Sequence, residues 1–331
     1  MKERVSRGIA LEKPAKRDFP VMQRAYEFIT NPKRIGAALT RTGTYLLLSG
    51  FSFVFLFPFL YMLVNSLKTN ADLNNILVNW VPRDLKFENY IIAYRALDYF
   101  TYAKNSVFIT IVTVIGHLLS CSLIGYGFAR YNFPCKKVLF LLVILALIVP
   151  VQTLIVPMYM VYANFGWLNS YLPIIVPTFL GYGLKGTLFI FIFRQYYLGL
   201  PKDLENAAKI DGAGFLMTYW RIVLPIAQSA LLVTVVLSMV WHWNDFYEPG
   251  IYAQKATMTM LPARLNNIVR LVNLPPEEMF EDMQLIDQEN SINNAVLMAG
   301  TFMVITPILI VFGFLQKKFM QGIERTGLTG E

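Results

Sequence analysis

For 47 consecutive residues, 138–184, this chain contains no Asp, Glu, Lys or Arg. A bilayer-spanning helix takes about 20 mostly apolar residues, so this single run is long enough to cross a membrane twice. The polar string NFGWLNS at 164–170 lies at its middle and predicts a turn between two spans. Four further charge-free stretches, 42–67, 105–129, 222–244 and 290–316, each fit one crossing. The expectation is an all-α integral membrane protein with six transmembrane helices at 44–66, 105–129, 138–163, 171–193, 222–244 and 291–315. A charged arm (1–42) precedes them and a tail (316–331) follows. Composition agrees: 56% of the residues are hydrophobic and 15% are charged, against roughly 25% charged in soluble domains. The first 41 residues are charged and the first apolar run is long enough to remain in the bilayer, so no cleaved signal peptide is expected.

The net charge of +8 does not indicate a nucleic-acid partner, because the basic residues flank the apolar runs as membrane anchors do. Twenty Lys and Arg fall before residue 42, in 130–137, in 194–221 and in the tail, and eight fall on the segments between. By the positive-inside asymmetry both termini are cytoplasmic. The outer segment 245–289 carries eight acids (Asp245, Glu248, Glu277, Glu278, Glu281, Asp282, Asp287, Glu289) against three bases. It reads either as a docking surface or as a solvated loop. In the arm, Val21, Met22, Ala25, Tyr26, Phe28 and Ile29 form an apolar stripe at helical spacing, so the arm is expected to be amphipathic. It would lie at the cytoplasmic interface or fold against the bundle.

Few ionisable residues enter the apolar runs. No acid does, and the candidates are Lys185, His117 and His242. Lys185 is placed either to snorkel to the inner surface or to line a polar cavity. His117 shares a helix face with Thr113 and Ser120 and is expected to hydrogen-bond between helices. His242, between Trp241 and Trp243, is expected in an interfacial aromatic belt. Two cysteines, Cys121 and Cys135, give no disulfide framework, and the two histidines give no recognisable metal set. No phosphate-binding G-x-x-x-x-G-K-[ST] loop is present, so any energy for transport enters through another protein.

The segment 200–225, LPKDLENAAKIDGAGFLMTYWRIVLP, is the most patterned part of the chain. Asp203 is placed to cap a short helix through Asp211, Ala207 and Ala208 favour helix and offer a small surface, and Gly212 ends it. Pro225 marks the start of the fifth span. Spacing adds a sharper reading. The segment resembles the E-A-A-x-x-x-G-x9-I-x-L-P signature of membrane subunits of ATP-binding-cassette importers, with Ala207, Ala208, Gly212, Ile222, Leu224 and Pro225 at the required positions. The first position of the signature holds Asn206, with Glu205 just before it where the sugar branch often has the first of two acids.

The resemblance extends over residues 43–322 and points to the carbohydrate-uptake branch, close to the second permease of maltose-type transporters. It is carried by FPFLYMLVNSLK in the first span, FENY at 87–90, the run 105–134, FRQYYLGLPKDLENAA, WNDF at 243–246 and FLQKKFMQGIERTG at the C-terminus. The resemblance implies a type I importer permease fold and a non-enzymatic chain that binds no cofactor itself. Its partners would be a second six-span permease in a heterodimer, two ATPase subunits carrying ATP and magnesium, an extracellular solute-binding protein, the lipid bilayer and a carbohydrate substrate. Residues 200–225 would transmit the ATPase motion, through Asp203, Glu205, Asn206, Ala207, Ala208, Asp211, Gly212, Ile222, Leu224 and Pro225. Tyr182, Lys185, Trp241, Trp243 and Asn244 have the side chains that bond or stack on sugars and are the candidates for the substrate path, each with ordinary helix packing as its alternative. Two other readings remain: the same class of permease serving a polyamine, phosphate or amino acid, and a membrane-embedded enzyme of glycan or lipid metabolism. The expected site is the cell membrane of a prokaryote.

The topology predicts which residues an impermeant thiol reagent reaches in intact cells. With Cys121 and Cys135 replaced, Asn164→Cys and Glu278→Cys should label and Lys202→Cys should not. Labelling of Lys202→Cys would invert the assignment.

Overall fold

The computed structural model describes residues 32–75, 80–272 and 292–328, and every regular element among them is helical. The apolar stripe of the arm, the acids from Glu277 to Glu289, residue 291 and the last three residues lie outside the described part. Three helices are each long and apolar enough to cross a membrane: the stretches Leu39–Ser66, Tyr99–Arg130 and Asn294–Met320. Two bent helix pairs raise that number to five if each pair is one span.

The chain divides into two units, Met1–Tyr61 and Met62–Glu331. The described part of the first belongs to α1 (Pro32–Ser66), which starts ten residues before the expected end of the arm. Its Leu46, Phe51 and Phe55 are exposed, as a lipid-facing surface would be.

In the second unit, α2 (Glu88–Leu97) leads into α3 (Tyr99–Arg130), and α3 is the helix on which the helices Leu172–Phe179, Gly186–Gly199 and Gln228–Asn244 pack. Its small residues make the approach close. A Cβ on Gly125 would stand 2.7 Å from Phe193 Cβ, and one on Gly116 would stand 2.6 Å from Thr178 Oγ1, the small-residue contact that drives helix association in lipid. Tyr126, Phe189, Phe193, Tyr197 and Tyr219 form the main buried cluster around it.

The three stretches expected as continuous spans, 138–163, 171–193 and 222–244, are each divided into separate helices. The third is α4 (Lys136–Ile148) followed by α5 (Val151–Asn164), at 106° to each other. Val149, which precedes Pro150, is extended at φ −67°, ψ 123°, because the proline ring clashes with a helical predecessor. The fourth is α6 (Leu172–Phe179) and α7 (Gly186–Gly199). Between them Gly181, Gly183 and Lys185 all have positive φ, at 76°, 65° and 64°, a region glycine enters freely. Lys185 therefore lies at the break itself rather than within a span. After α8 (Asp203–Ile210), the fifth is α9 (Phe215–Ile226) and α10 (Gln228–Asn244), bent by 77°. A π turn at Tyr219–Val223 and Pro225, which has no N–H to bond back, precede that bend, and both are recognised causes of kinks.

The chain closes through α11 (Tyr247–Tyr252), α12 (Leu261–Val272) and α13 (Asn294–Leu328). α13 runs without interruption into what the sequence suggests is a separate tail. Polar bonds tie the loops to α3 at the end opposite Arg130: Asn105 Nδ2 donates to the Thr257 and Thr259 carbonyls at 2.9 and 3.0 Å, and the Leu261 amide donates to Ser106 Oγ at 2.8 Å.

Candidate functional site

Two places gather the residues singled out by the sequence. The first is α8 and what holds it. The short helix ends at Ile210, with Asp211 as its C-cap, and Lys202 rather than Asp203 occupies the N-cap position, with no side-chain capping bond. Asp203 and Glu205 instead fall in the first turn, where carboxylates meet the positive end of the helix dipole. Gly212 adopts φ 81°. Its amide bonds to the Lys209 carbonyl at 3.0 Å, and the Ala213 amide bonds to the Ala208 carbonyl at 2.9 Å, a Schellman stop that only glycine makes without strain.

Glu205 fixes this helix to the bundle. Its Oε1 lies 2.6 Å from Arg130 Nε, and both side chains are nearly inaccessible, at 9% and 4% exposed. Tyr126 OH donates to Glu205 Oε2 at 3.1 Å, and Arg130 Nη2 donates to the Leu200 carbonyl at 2.7 Å. The last turn of α3 is thereby bonded to the end of α7 and to α8 at once. Tyr126 also stacks on Phe215 at 5.5 Å and lies 5.4 Å from Tyr219, while Tyr219 OH and Ser122 Oγ are 2.5 Å apart. Ala208 faces the bundle, and Asn206, Ala207, Asp211 and Gly212 are exposed. Ile222 and Leu224 are half-buried, and Pro225 is exposed. The outer face of the segment also carries Leu204, Ile210, Leu216, Met217 and Trp220, with Ile210 87% exposed. The sequence reading passed over these apolar residues because a signature fixes spacing and not which face is bare.

The second place is the break at Leu180–Lys185. His117 of α3 reaches it: Nε2 lies 3.3 Å from the Tyr182 carbonyl, and Nδ1 lies 3.0 Å from Ser238 Oγ on α10. His242 is fully buried and 5.3 Å from His117, ring to ring, so it belongs to the interior and not to a belt. The Lys185 ammonium lies 5.7 Å from the Trp241 ring. Lys185 and Trp241 are therefore neighbours, and Tyr182 stands in the same break as Lys185. Trp243 is not one of them. It is buried against α13, where its Nε1 donates to the Val304 carbonyl at 3.0 Å. Asn244 is exposed and bonds its own helix through the Val240 carbonyl.

Beside the break lies a cavity of about 30 Å³ whose lining includes Tyr162, Tyr182, Gly183, Glu248 and Tyr252. Burial, and secondarily the Asp245 carboxylate, raises the pKa of Glu248. Asp245 Oδ1 accepts the Tyr247 and Glu248 amides at 2.9 and 3.3 Å, and burial raises its pKa as well. Across α11 a larger cavity of about 290 Å³ is lined by Phe246, Tyr247, Gln254, Asn266, Asn267 and Arg270 among others. Glu248 was legible only as one acid of an acidic loop, because the residues that share its cavity come from α5, the break and α11.

The described helices of the second unit form an apolar bundle, several of them broken, with a short helix clamped on one end, and similarity to known proteins gives its class, a transport-system membrane component. The chain belongs to the family described as binding-protein-dependent transport system inner membrane component, whose model matches residues 121–325. It is similar to the arabinooligosaccharides transport system permease protein AraQ of Halalkalibacterium halodurans, with 31% identity over 87% of this chain and 97% of that one. AraQ of Bacillus subtilis is 29% identical over 84% and 92%. The lactose transport system permease protein LacG of Rhizobium radiobacter is 26% identical over 84% and 93%. Among solved structures, a bacterial ABC transporter involved in the import of the acidic polysaccharide alginate shares the fold. It has a TM-score of 0.70 and 20% identity over 86% of this chain and 98% of that one.

The clamp makes a thermodynamic prediction. Glu205→Ala strands a buried guanidinium and should lower the thermal stability of the purified protein, by about 3–5 kcal/mol where unfolding is reversible. Arg130→Met with Glu205→Leu removes both charges and should recover most of that loss. Equal stability of Glu205→Ala and wild type would show that the pair does not hold α8.

Proposed function

We propose that this chain is one of two membrane subunits of an ATP-driven importer for an oligosaccharide delivered by an extracellular binding protein. The relatives named for arabinooligosaccharides, lactose and starch degradation products support the substrate class. In this reading α1, α3, α13 and the three broken pairs are the six spans, with both termini cytoplasmic in a prokaryotic cell membrane. A second six-span permease completes the path. ATP and magnesium act on a pair of separate ATPase subunits, and the chain catalyses no reaction itself.

The observation that carries the mechanism is the two-sidedness of α8. One face is bonded to the bundle through Glu205, and the other presents Leu204, Ala207 and Ile210 bare. An ATPase groove that takes up this face moves the end of α3 with it, since a buried pair and stacked rings give the joint no slack. Movement of α3 then reaches the break through His117. Alternating access follows as rocking of packed helices about the path.

Deleting the gene should abolish uptake of one oligosaccharide and leave amino-acid, phosphate and polyamine uptake intact. Loss of polyamine uptake with sugar uptake retained would overturn the substrate class. Gly212→Asp forces a side chain into a left-handed position costing about 1–2 kcal/mol and adds a charge beside the docking face. It should leave the protein inserted but cut binding-protein-stimulated ATPase activity and uptake, as should Ala207→Asp. Asn206→Glu, on an exposed position, should be tolerated. Full uptake by Gly212→Asp would remove this segment from the coupling path.

A further inference from the structure

We propose that Glu248, with the rings of Tyr162, Tyr182 and Tyr252, forms a saccharide subsite in this chain's half of the path that accepts uncharged sugars and rejects uronates. This rests on the carbohydrate reading above. Among the described residues the Glu248 carboxylate makes no hydrogen bond or ion pair, and neither do the three phenol hydroxyls, although all four side chains line one cavity. A half-buried carboxylate without a partner is costly, and near a membrane path such a group marks a site.

The backbone points to the same place. The non-helical residues Tyr182 and Gly183 form part of the wall, and broken backbone at membrane depth is tolerated where it lines a cavity. Discontinuous helices of this kind form the substrate sites of many transporters.

The chemistry of the lining selects the ligand. Sugar hydroxyls bond a carboxyl group in either protonation state, accepting its proton or donating to its oxygens, and aromatic faces cover the C–H side of a ring. Tyr162 and Tyr252 meet edge to face at 5.0 Å, so their rings already form a corner. The neighbouring Asp245 adds a second carboxylate, one of whose oxygens is buried without a partner, and no cation lines the cavity. Burial raises the pKa of Asp245 to about 6 and that of Glu248 to about 8, so the pair holds roughly one negative charge at neutral pH, and a uronate brought here adds a second like charge. The cavity of about 30 Å³ is partly open to its surroundings and admits one hydroxyl-bearing edge of a sugar.

The test uses the complete importer in proteoliposomes with its co-purified partner chains and binding protein. The probes are a pool of arabino- and malto-oligosaccharides with lactose, and separately trigalacturonate. For whichever neutral sugar the wild type imports, Glu248→Ala and Tyr182→Ala should each lower the uptake rate about tenfold, with Glu248→Gln recovering part of the loss. Tyr182 is 40% exposed, so its truncation spares the core and keeps the test valid if Glu248→Ala fails to assemble. Trigalacturonate should not be imported. Uptake within twofold of wild type in both alanine variants, or wild-type import of trigalacturonate, overturns the subsite and leaves the transport function standing. A wild type that imports none of the probes overturns the carbohydrate reading and the subsite together.

Discussion

The buried ion pair between Arg130 and Glu205 is the constraint on which the rest depends. Two charges taken out of water cost several kcal/mol each, and their attraction offsets that cost only when the geometry is good and the remaining polar groups are satisfied. Here Tyr126 takes the second carboxylate oxygen and the Leu200 carbonyl takes a guanidinium nitrogen. Hydrophobic residues of the same volume would hold α8 at least as firmly. What the polar cluster adds is direction: the bonds from Tyr126 OH to Glu205 Oε2 and from Arg130 Nη2 to the Leu200 carbonyl have one register, whereas an apolar contact can slide.

From that joint the structure runs along α3 to a region of the opposite character. Near Arg130 the packing is aromatic and closed. At the level of His117 the neighbouring helix breaks, two glycines and Lys185 turn left-handed, and polar side chains meet a small cavity. A closely packed lever joined to an irregular region beside a cavity is a physically consistent division for a transporter, because force must pass through one part and a solute through the other.

The sequence displays these parts unequally. Charge-free runs mark the apolar segments because no bilayer core tolerates many charges, and the α8 signature is legible because its residues are local: a short helix, two alanines, a glycine stop. The breaks at Pro150, at Gly181 to Lys185 and at Ala227 leave hydropathy unchanged, so counting apolar residues reads straight through them. Pro150 and the two glycines do carry the signal, in residue type rather than in hydrophobicity. The pairing of Glu205 with Arg130 and the gathering of Glu248 with three tyrosines join residues 75 or more and 66 or more positions apart, apart from Tyr252. No local pattern encodes such meetings. Trp243 shows the converse, since its residue type suits a sugar and its position commits it to α13.

The central claim is that α8 and the end of α3 move as one body. Spin labels at Gly127→Cys in the last turn of α3, where an added side chain meets nothing within 4 Å, and at Lys209→Cys on α8, in a background with Cys121 and Cys135 replaced by Ala within the assembled importer, report the distance between the two helices. The account predicts the same distance distribution in the nucleotide-free and ATP-bound states, and a broadened one when Glu205→Ala is added. A distance that shifts with nucleotide while the Arg130–Glu205 pair is intact would contradict it.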